Sequence, residues 1–279
     1  MKKVCLVLSG MLLFLLIVGA AMSFFSRMQE GEKIGIIRVE GAITSSDDII
    51  TTLKQFSEDP AIKAIVMRVD SPGGGVAPSQ EIYEEVKKAA AKKFIVVSMG
   101  SLAASGGYYI SVPATKIFAD PGTITGSIGV IMEVPNVQGL LKKIGVKTEV
   151  IKSGKNKDIA SLFSNMTNEQ RRILQGSLDN VHEQFIQAVA AGRKMPVDVV
   201  RQLADGRIFT GQQAKALGLI DQLGDLEDAI NSAKTMAGIK GKPSLEEKRK
   251  GKSIFDLFKS KVSLSGIYPS FKLGYLFAP

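Results

Sequence analysis

Tryptophan is absent from these 279 residues, and cysteine and histidine each occur once. A single cysteine, Cys5, excludes a disulfide framework or a cysteine-based zinc site within one chain. A single histidine leaves a catalytic serine without its usual base. His182 sits in Asn180-Val181-His182-Glu183, among ordinary helix-surface residues, and reads as structural or solvent-facing. Aromatic residues are scarce and no nucleic-acid-binding motif is visible. The net charge of +9 comes from dispersed lysines and arginines and reads as solvated surface, with no nucleic-acid partner expected. No metal and no cofactor is expected either.

The first feature present is the uncharged run Val4 to Phe25, whose 22 residues exceed the ~20 needed to cross a bilayer as a helix. Lys2 and Lys3 precede it, and the positive-inside rule then favours a cytoplasmic N-terminus and an extracytoplasmic body. A cleaved signal peptide is the competing reading, because Gly19-Ala20-Ala21-Met22-Ser23 offers small residues for a cut. The apolar run is longer than a usual signal core, which favours a retained anchor. Cys5 is too close to the start for a lipoprotein signal. The expected organisation is a stub and anchor over 1–27, one domain over 28–238 and a basic extension over 239–279.

Within the domain, apolar runs alternate with amphipathic stretches. Strands are predicted at Ile34 to Val39, Ile62 to Val69, Phe94 to Met99, Lys116 to Ala119, Gly129 to Val134 and Lys147 to Ile151. Helices are predicted at Asp47 to Phe56, Pro78 to Ala91, Val137 to Ile144, Glu169 to Arg193, Pro196 to Leu203 and Thr210 to Leu217, with a last one capped by Asp225. This alternation predicts an α/β fold with a largely parallel sheet.

The segment Gly100-Ser101-Leu102-Ala103-Ala104-Ser105-Gly106-Gly107-Tyr108 follows a predicted strand and reads as a turn opening a helix. Such a turn exposes a serine hydroxyl beside free backbone N–H groups, which makes Ser105 the candidate nucleophile. With His182 set aside, a serine–lysine pair is the natural alternative to a triad. A lysine acts as a base only when desolvated. The loop Lys152-Ser153-Gly154-Lys155-Asn156-Lys157-Asp158 offers Lys152, Lys155 and Lys157, and spacing does not choose among them. Gly73-Gly74-Gly75 lacks a phosphate-loop pattern and reads as close backbone approach to a substrate. A Gly73 or Gly74 amide, with that of Gly106, can serve as an oxyanion hole, and the neighbouring extended residues offer a strand edge to a peptide. In Thr125-Gly126-Ser127-Ile128-Gly129, Ser127 is a hydroxyl available to orient a lysine; the alternative is a simple turn.

These stretches together resemble the signal peptide peptidase SppA family in its short, single-repeat form. The resemblance is carried by Arg68-Val69-Asp70-Ser71-Pro72-Gly73-Gly74, Met99 to Tyr109, Thr125 to Gly129, Ser153 to Asp158, and Asp205-Gly206-Arg207-Ile208-Phe209-Thr210-Gly211 through Asp221. It implies a ClpP/crotonase-type fold and a serine–lysine endopeptidase. Ser105 matches the nucleophile, Lys157 the general base 52 positions on, Ser127 the lysine-orienting hydroxyl, and Gly73 or Gly74 with Gly106 the oxyanion hole. Asp70 stands where other proteins of the wider fold often carry asparagine. The resemblance also implies a homo-oligomer, an octamer with its dyad completed between protomers. The substrates it implies are remnant signal peptides left in the cell membrane after preprotein processing, along with misfolded extracytoplasmic proteins. Two other readings compete. A crotonase-type acyl-CoA enzyme would share the fold, and a non-catalytic membrane-tethered scaffold would share the anchor.

Overall fold

Runs of β-branched and apolar residues form the strands, and amphipathic stretches between them form the crossovers. The computed structural model describes residues 32–248 and 274–276. The expected anchor, Val4 to Phe25, lies outside the described residues. Among those described, no helix is long and apolar enough to cross a membrane.

In chain order the elements are β1 (Lys33–Glu40), α1 (Asp47–Glu58), β2 (Ile62–Ser71), β3 (Gly73–Gly75), α2 (Val76–Ala90), β4 (Phe94–Ala104), α3 (Gly106–Ser111), β5 (Lys116–Ala119) and β6 (Ile124–Gly126). Then follow α4 (Gln138–Lys143), α5 (Asn168–Arg193), α6 (Val197–Leu203), β7 (Ile208–Thr210), α7 (Gly211–Ala216), β8 (Gln222–Leu223), α8 (Leu226–Met236), β9 (Ser244–Glu247) and β10 (Gly274–Leu276). Eight strands form the main sheet, in the order β7-β6-β4-β2-β1-β9, with β5 joining β4 to β8. Every pairing in it is parallel except β6 with β7. This is the mixed, largely parallel sheet with flanking helices that the alternation and the resemblance imply.

Central strands are buried on both faces, which is why they read as continuous apolar runs rather than alternating ones. On one face Leu53, Phe56, Ile82, Val86, Tyr108 and Phe185 pack against Ile65, Met67, Ile95 and Val97. On the other, Ala229, Ile230 and Ala233 of α8 cover Ile34, Ile36, Val66 and Val96. Each such side chain contributes about 1.5–3 kcal/mol when fully buried.

Three expectations are corrected. Neither Gly129 to Val134 nor Lys147 to Ile151 forms a strand. Both alternate suitably, but among the described residues neither pairs as a strand, and Ile151 is fully exposed. The loop carrying the three lysines is therefore not aimed by a preceding strand. A strand forms instead at Ile124–Gly126, within the small-residue cluster. The apolar side of α5 is buried only in its C-terminal half, through Phe185, Ile186 and Val189, while Ile173 stays exposed. Finally, Ser244–Glu247, read as part of a charged extension, pairs in parallel with β1.

Candidate active site

The site begins with an irregularity where β2 meets β4. Val69 pairs with Met99, but Ser71 pairs with Ala103, so β4 carries extra residues opposite Asp70. Bulges of this kind bend a strand and re-aim its end. Asp70 holds the bulge, its Oδ1 accepting from the Leu102 N–H at 3.1 Å. Arg68 donates to Ser98 Oγ at 2.7 Å and to the Met99 carbonyl at 3.0 Å. The strand consequently runs on to Ala104, further than the sequence predicts, and the whole strand-to-helix reversal falls on Ser105.

Ser105 has φ 54° and ψ −118°, a conformation unfavourable for a residue with a Cβ. Ser127 has φ 50°. Strain of this sort costs on the order of 1–3 kcal/mol per residue and gathers at functional sites. The two serines are neighbours by register: Ala104 pairs with Gly126, and the Ser105 N–H donates to the Gly126 carbonyl at 2.8 Å. Each therefore closes one of two adjacent parallel strands. Both are buried, and neither side-chain oxygen has a hydrogen-bond partner among the described residues.

The glycines are explained by crowding. A Cβ on Gly106 would stand 3.1 Å from Gly73 Cα and 3.2 Å from Gly74 N. A Cβ on Gly74 would stand 2.1 Å from the Ile43 carbonyl oxygen. These backbones approach more closely than any side chain permits. Ser71 Oγ donates to the Gly41 carbonyl at 2.6 Å and accepts from the Gly73 N–H at 3.1 Å. The Gly73 amide is thus occupied, which leaves Gly74 as the amide facing Gly106. The Gly106 N–H belongs to the first turn of α3 and so has no intrahelical acceptor. The sequence reading did not use Ser71; its signal was its place inside the Ser-Pro-Gly-Gly turn.

The structure thus brings together Ser105, Ser127, Gly74 and Gly106, and among the described residues Lys157 makes no side-chain hydrogen bond to any of them. The three lysines left open by spacing separate cleanly. Lys152 pairs with Asp158 at 2.6 Å and Lys155 pairs with Glu169. Asp158 is held below the usual carboxylate range, chiefly by its hydrogen bond from Lys152. Lys157 is exposed and makes no side-chain hydrogen bond or ion pair among the described residues. His182 is half-buried, and its Nε2 is buried without a partner among the described residues. It lines a cavity of about 580 Å³ that Ser127, Gly129 and Asp205 also line. The sequence, which placed His182 among ordinary surface residues, gave no sign of that proximity. Among the described residues no group of acidic, cysteine and histidine side chains could hold a metal.

A serine hydroxyl at the mouth of a short helix, beside two close backbone amides, is equipped for attack on a carbonyl and stabilisation of the resulting oxyanion. Comparison with known proteins agrees in kind. A sequence model described as Peptidase family S49 matches residues 87–240. A Synechocystis protein named as a protease is 48% identical over 210 residues, 75% of this chain and 76% of that one. An Enterococcus faecium protein named as a signal peptide peptidase SppA is 44% identical over 190 residues, 67% of this chain and 55% of that one. Among solved structures, a ClpP1 mutant from Listeria monocytogenes has a TM-score of 0.49 at 17% identity, covering 70% of this chain and 94% of that one. By the family model and the relatives' identities, the chain belongs to peptidase family S49.

Proposed function

We propose that this protein is a membrane-anchored serine endopeptidase in which Ser105 is the nucleophile and Lys157 the general base. The observation that carries the reading is Ser105 itself: a strained residue whose hydroxyl has no partner among the described residues, set against the Gly74 and Gly106 backbone. In the proposed reaction, Lys157 accepts the Ser105 proton as Oγ attacks the peptide carbonyl. The Gly74 and Gly106 amides hold the oxyanion, a contribution of about 2.7–4 kcal/mol per donor. The amine leaves with the proton, and water then releases the acyl group. Ser127 orients the lysine amine.

Lys157 needs dry surroundings to act as a base, and in one chain it is exposed. A neighbouring copy supplies them in this reading, so the working form is a homo-oligomer, an octamer, with each dyad shared between protomers. Exposed apolar residues around the same loop, among them Leu140, Ile144, Val150 and Ile151, fit such burial. The run Val4 to Phe25 is the anchor of a single-pass protein of the cell membrane, with a cytoplasmic N-terminus and the catalytic domain outside. The substrates are then remnant signal peptides in the membrane, and misfolded extracytoplasmic proteins.

A serine-directed fluorophosphonate tests the nucleophile. It is expected to label Ser105, and labelling elsewhere or none in active protein would remove Ser105 from the mechanism. Mixing tests the sharing. Ser105→Ala and Lys157→Ala proteins are each expected to be inactive. Refolded together at equal amounts, they should regain roughly a quarter of the activity, since each site draws its two residues from different copies. A mixture as inactive as its components would confine the dyad to one chain or exclude Lys157.

A further inference from the structure

One stripe of α5 faces the cavity of about 580 Å³ that reaches Ser127. Gln175, Leu178, Asp179 and His182 stand three or four positions apart, which puts them on one side of the helix. The opposite wall is held by backbone bonds: the Ser127 N–H donates to the Arg207 carbonyl at 2.9 Å, and the Gly206 N–H donates to the Ile128 carbonyl at 3.2 Å. The polar side chains around His182 have partners. Asp179 accepts from Gln175 at 2.7 Å and Asn180 accepts from Gln184 at 2.8 Å. Glu183 pairs with Arg201, and Asp205 pairs with Arg207. His182 Nε2 is the exception, buried and without a partner among the described residues, on a ring that lines the cavity. A buried polar atom left unpaired is uncommon in a native protein and calls for an explanation.

We propose that His182 is a specificity residue: its Nε2 is the polar end of a side-chain pocket beside Ser127, and it selects substrates whose residue next to the scissile bond ends in a hydrogen-bonding group. The placement follows from register. Ser127 lines the cavity, and it follows Gly126, whose carbonyl accepts from the Ser105 N–H at 2.8 Å. A peptide carbonyl set between Ser105 and the Gly74 and Gly106 amides therefore has this cavity close by for a neighbouring side chain. Met132, Leu178 and Ala204 give the pocket an apolar lining. The imidazole nitrogen adds one donor or acceptor, according to tautomer. A tyrosine hydroxyl or a glutamine amide can meet either. Phenylalanine and methionine, of nearly the same size, fill the space but leave the nitrogen desolvated and unpaired. The proposal rests on the peptidase reading for the position of the scissile bond. It adds a side-chain preference that the nucleophile and the oxyanion hole do not carry.

The test is a peptide mixture with Tyr, Phe, Gln and Met equally represented at each position, digested by the full chain and mapped by mass spectrometry. At one position flanking the cut, Tyr should be preferred to Phe and Gln to Met, each roughly ten-fold. His182→Leu should abolish both preferences. His182→Gln keeps a hydrogen-bonding end and should retain them. An unaltered chain that cleaves Tyr and Phe peptides equally would overturn the proposal, whatever the variants do. So would an equal fall in cleavage of all peptides in both variants with the preferences intact, which would make the cavity the seat of another group, such as a neighbour's lysine. A second readout does not depend on catalysis. Fluorescein-labelled peptides, carrying Tyr or Phe at each position in turn, are followed by anisotropy on Ser105→Ala protein. At one position the Tyr peptide should bind about ten-fold more tightly, and adding His182→Leu should remove the difference. Equal affinities at every position would overturn the proposal, even in an active peptidase. If no peptide is cleaved but the affinities differ as stated, the pocket stands and the peptidase reading fails.

Discussion

The two halves of the proposed dyad sit in unlike surroundings. Ser105 closes a strand of the central sheet, in a frame where glycine backbones nearly touch and apolar side chains are fully buried. Lys157 sits between positions 129 and 167, a stretch whose one regular element is the six-residue helix α4, none of whose residues is buried. The frame is determined from within the chain, because its own contacts specify the backbone positions around Ser105. The lysine stretch is under-determined, because Leu140, Ile144, Val150 and Ile151 are exposed and no described residue buries them. A site divided in this way places the chemistry that must be exact in the rigid part. In the proposed reading, the part that must be enclosed is completed by a neighbour.

Exchanging one glycine in each half breaks the comparison most sharply. Gly74→Ala would drive a Cβ to 2.1 Å from the Ile43 carbonyl oxygen, a backbone atom that cannot turn aside. Overpacking against backbone is expected to cost roughly 3 kcal/mol, read as a lower urea midpoint, with peptidase activity lost. Gly154→Ala, three residues before Lys157, meets nothing within 4 Å. Its stability should change by less than about 0.5 kcal/mol. Equal costs at the two positions would mean that the frame is no tighter than the loop.

Legibility in the sequence follows the same division. The central strands, the long helix and the glycine turn could be read directly, because fully buried strands leave apolar runs and close approach leaves glycines. Ser105 could be read from the strand-to-helix turn. Lys157 could not be chosen from spacing, and needed the family resemblance, because what distinguishes it is the absence, among the described residues, of the carboxylate partners that Lys152 and Lys155 have. Lys147 to Ile151 has a strand's alternation, but a strand exists only where a partner accepts its backbone. The reverse holds for β9. Its Ser-Leu-Glu-Glu sequence looks like solvated chain, yet at the sheet edge Glu246 pairs with Lys33 at 3.3 Å and Glu247 with Arg38 at 2.7 Å. The bulge opposite Asp70 leaves no periodic trace, because it depends on a cross-strand register that one strand's sequence does not state.

Ion pairs sharpen the comparison at an intermediate scale. In the frame, the mostly buried Arg193 grips Asp221 with two bonds, of 3.0 and 2.7 Å, and the same carboxylate accepts from the Ile117 N–H at 2.7 Å. Burial pushes the Asp221 carboxyl up, but the Arg193 guanidinium and the Ile117 amide outweigh it and hold it below the usual carboxylate range. A group depressed in the folded state stabilises at pH values above its unfolded pKa, about 3.9 for aspartate, and that contribution fades as pH falls through the folded value. Asp221→Asn keeps an acceptor for Ile117 and loses only the charge. It should cost about 1–2 kcal/mol at pH 7 by thermal or urea unfolding, and the gap to the unaltered protein should close well below pH 4. Lys155→Gln, which breaks the exposed pair with Glu169 in the lysine stretch, should leave the melting temperature unchanged at either pH. A pH-independent cost at Asp221 would assign its effect to packing rather than to charge.

The smallest expected effect isolates the strain stored in the frame. Ser105→Ala and Ser105→Gly both remove the hydroxyl and should both be inactive, so activity does not distinguish them. Stability does. Alanine inherits φ 54° and ψ −118° together with the cost of its Cβ there, whereas glycine adopts the same angles freely. Relief of on the order of 1–3 kcal/mol is partly offset by the greater freedom glycine has when unfolded, roughly 0.5–1 kcal/mol. Ser105→Gly should therefore be more stable than Ser105→Ala by about 1 kcal/mol, a difference that urea unfolding of the two proteins side by side can resolve. If alanine proved the more stable of the two, the backbone at the nucleophile would be relaxed. The contrast between the halves would then rest on packing alone.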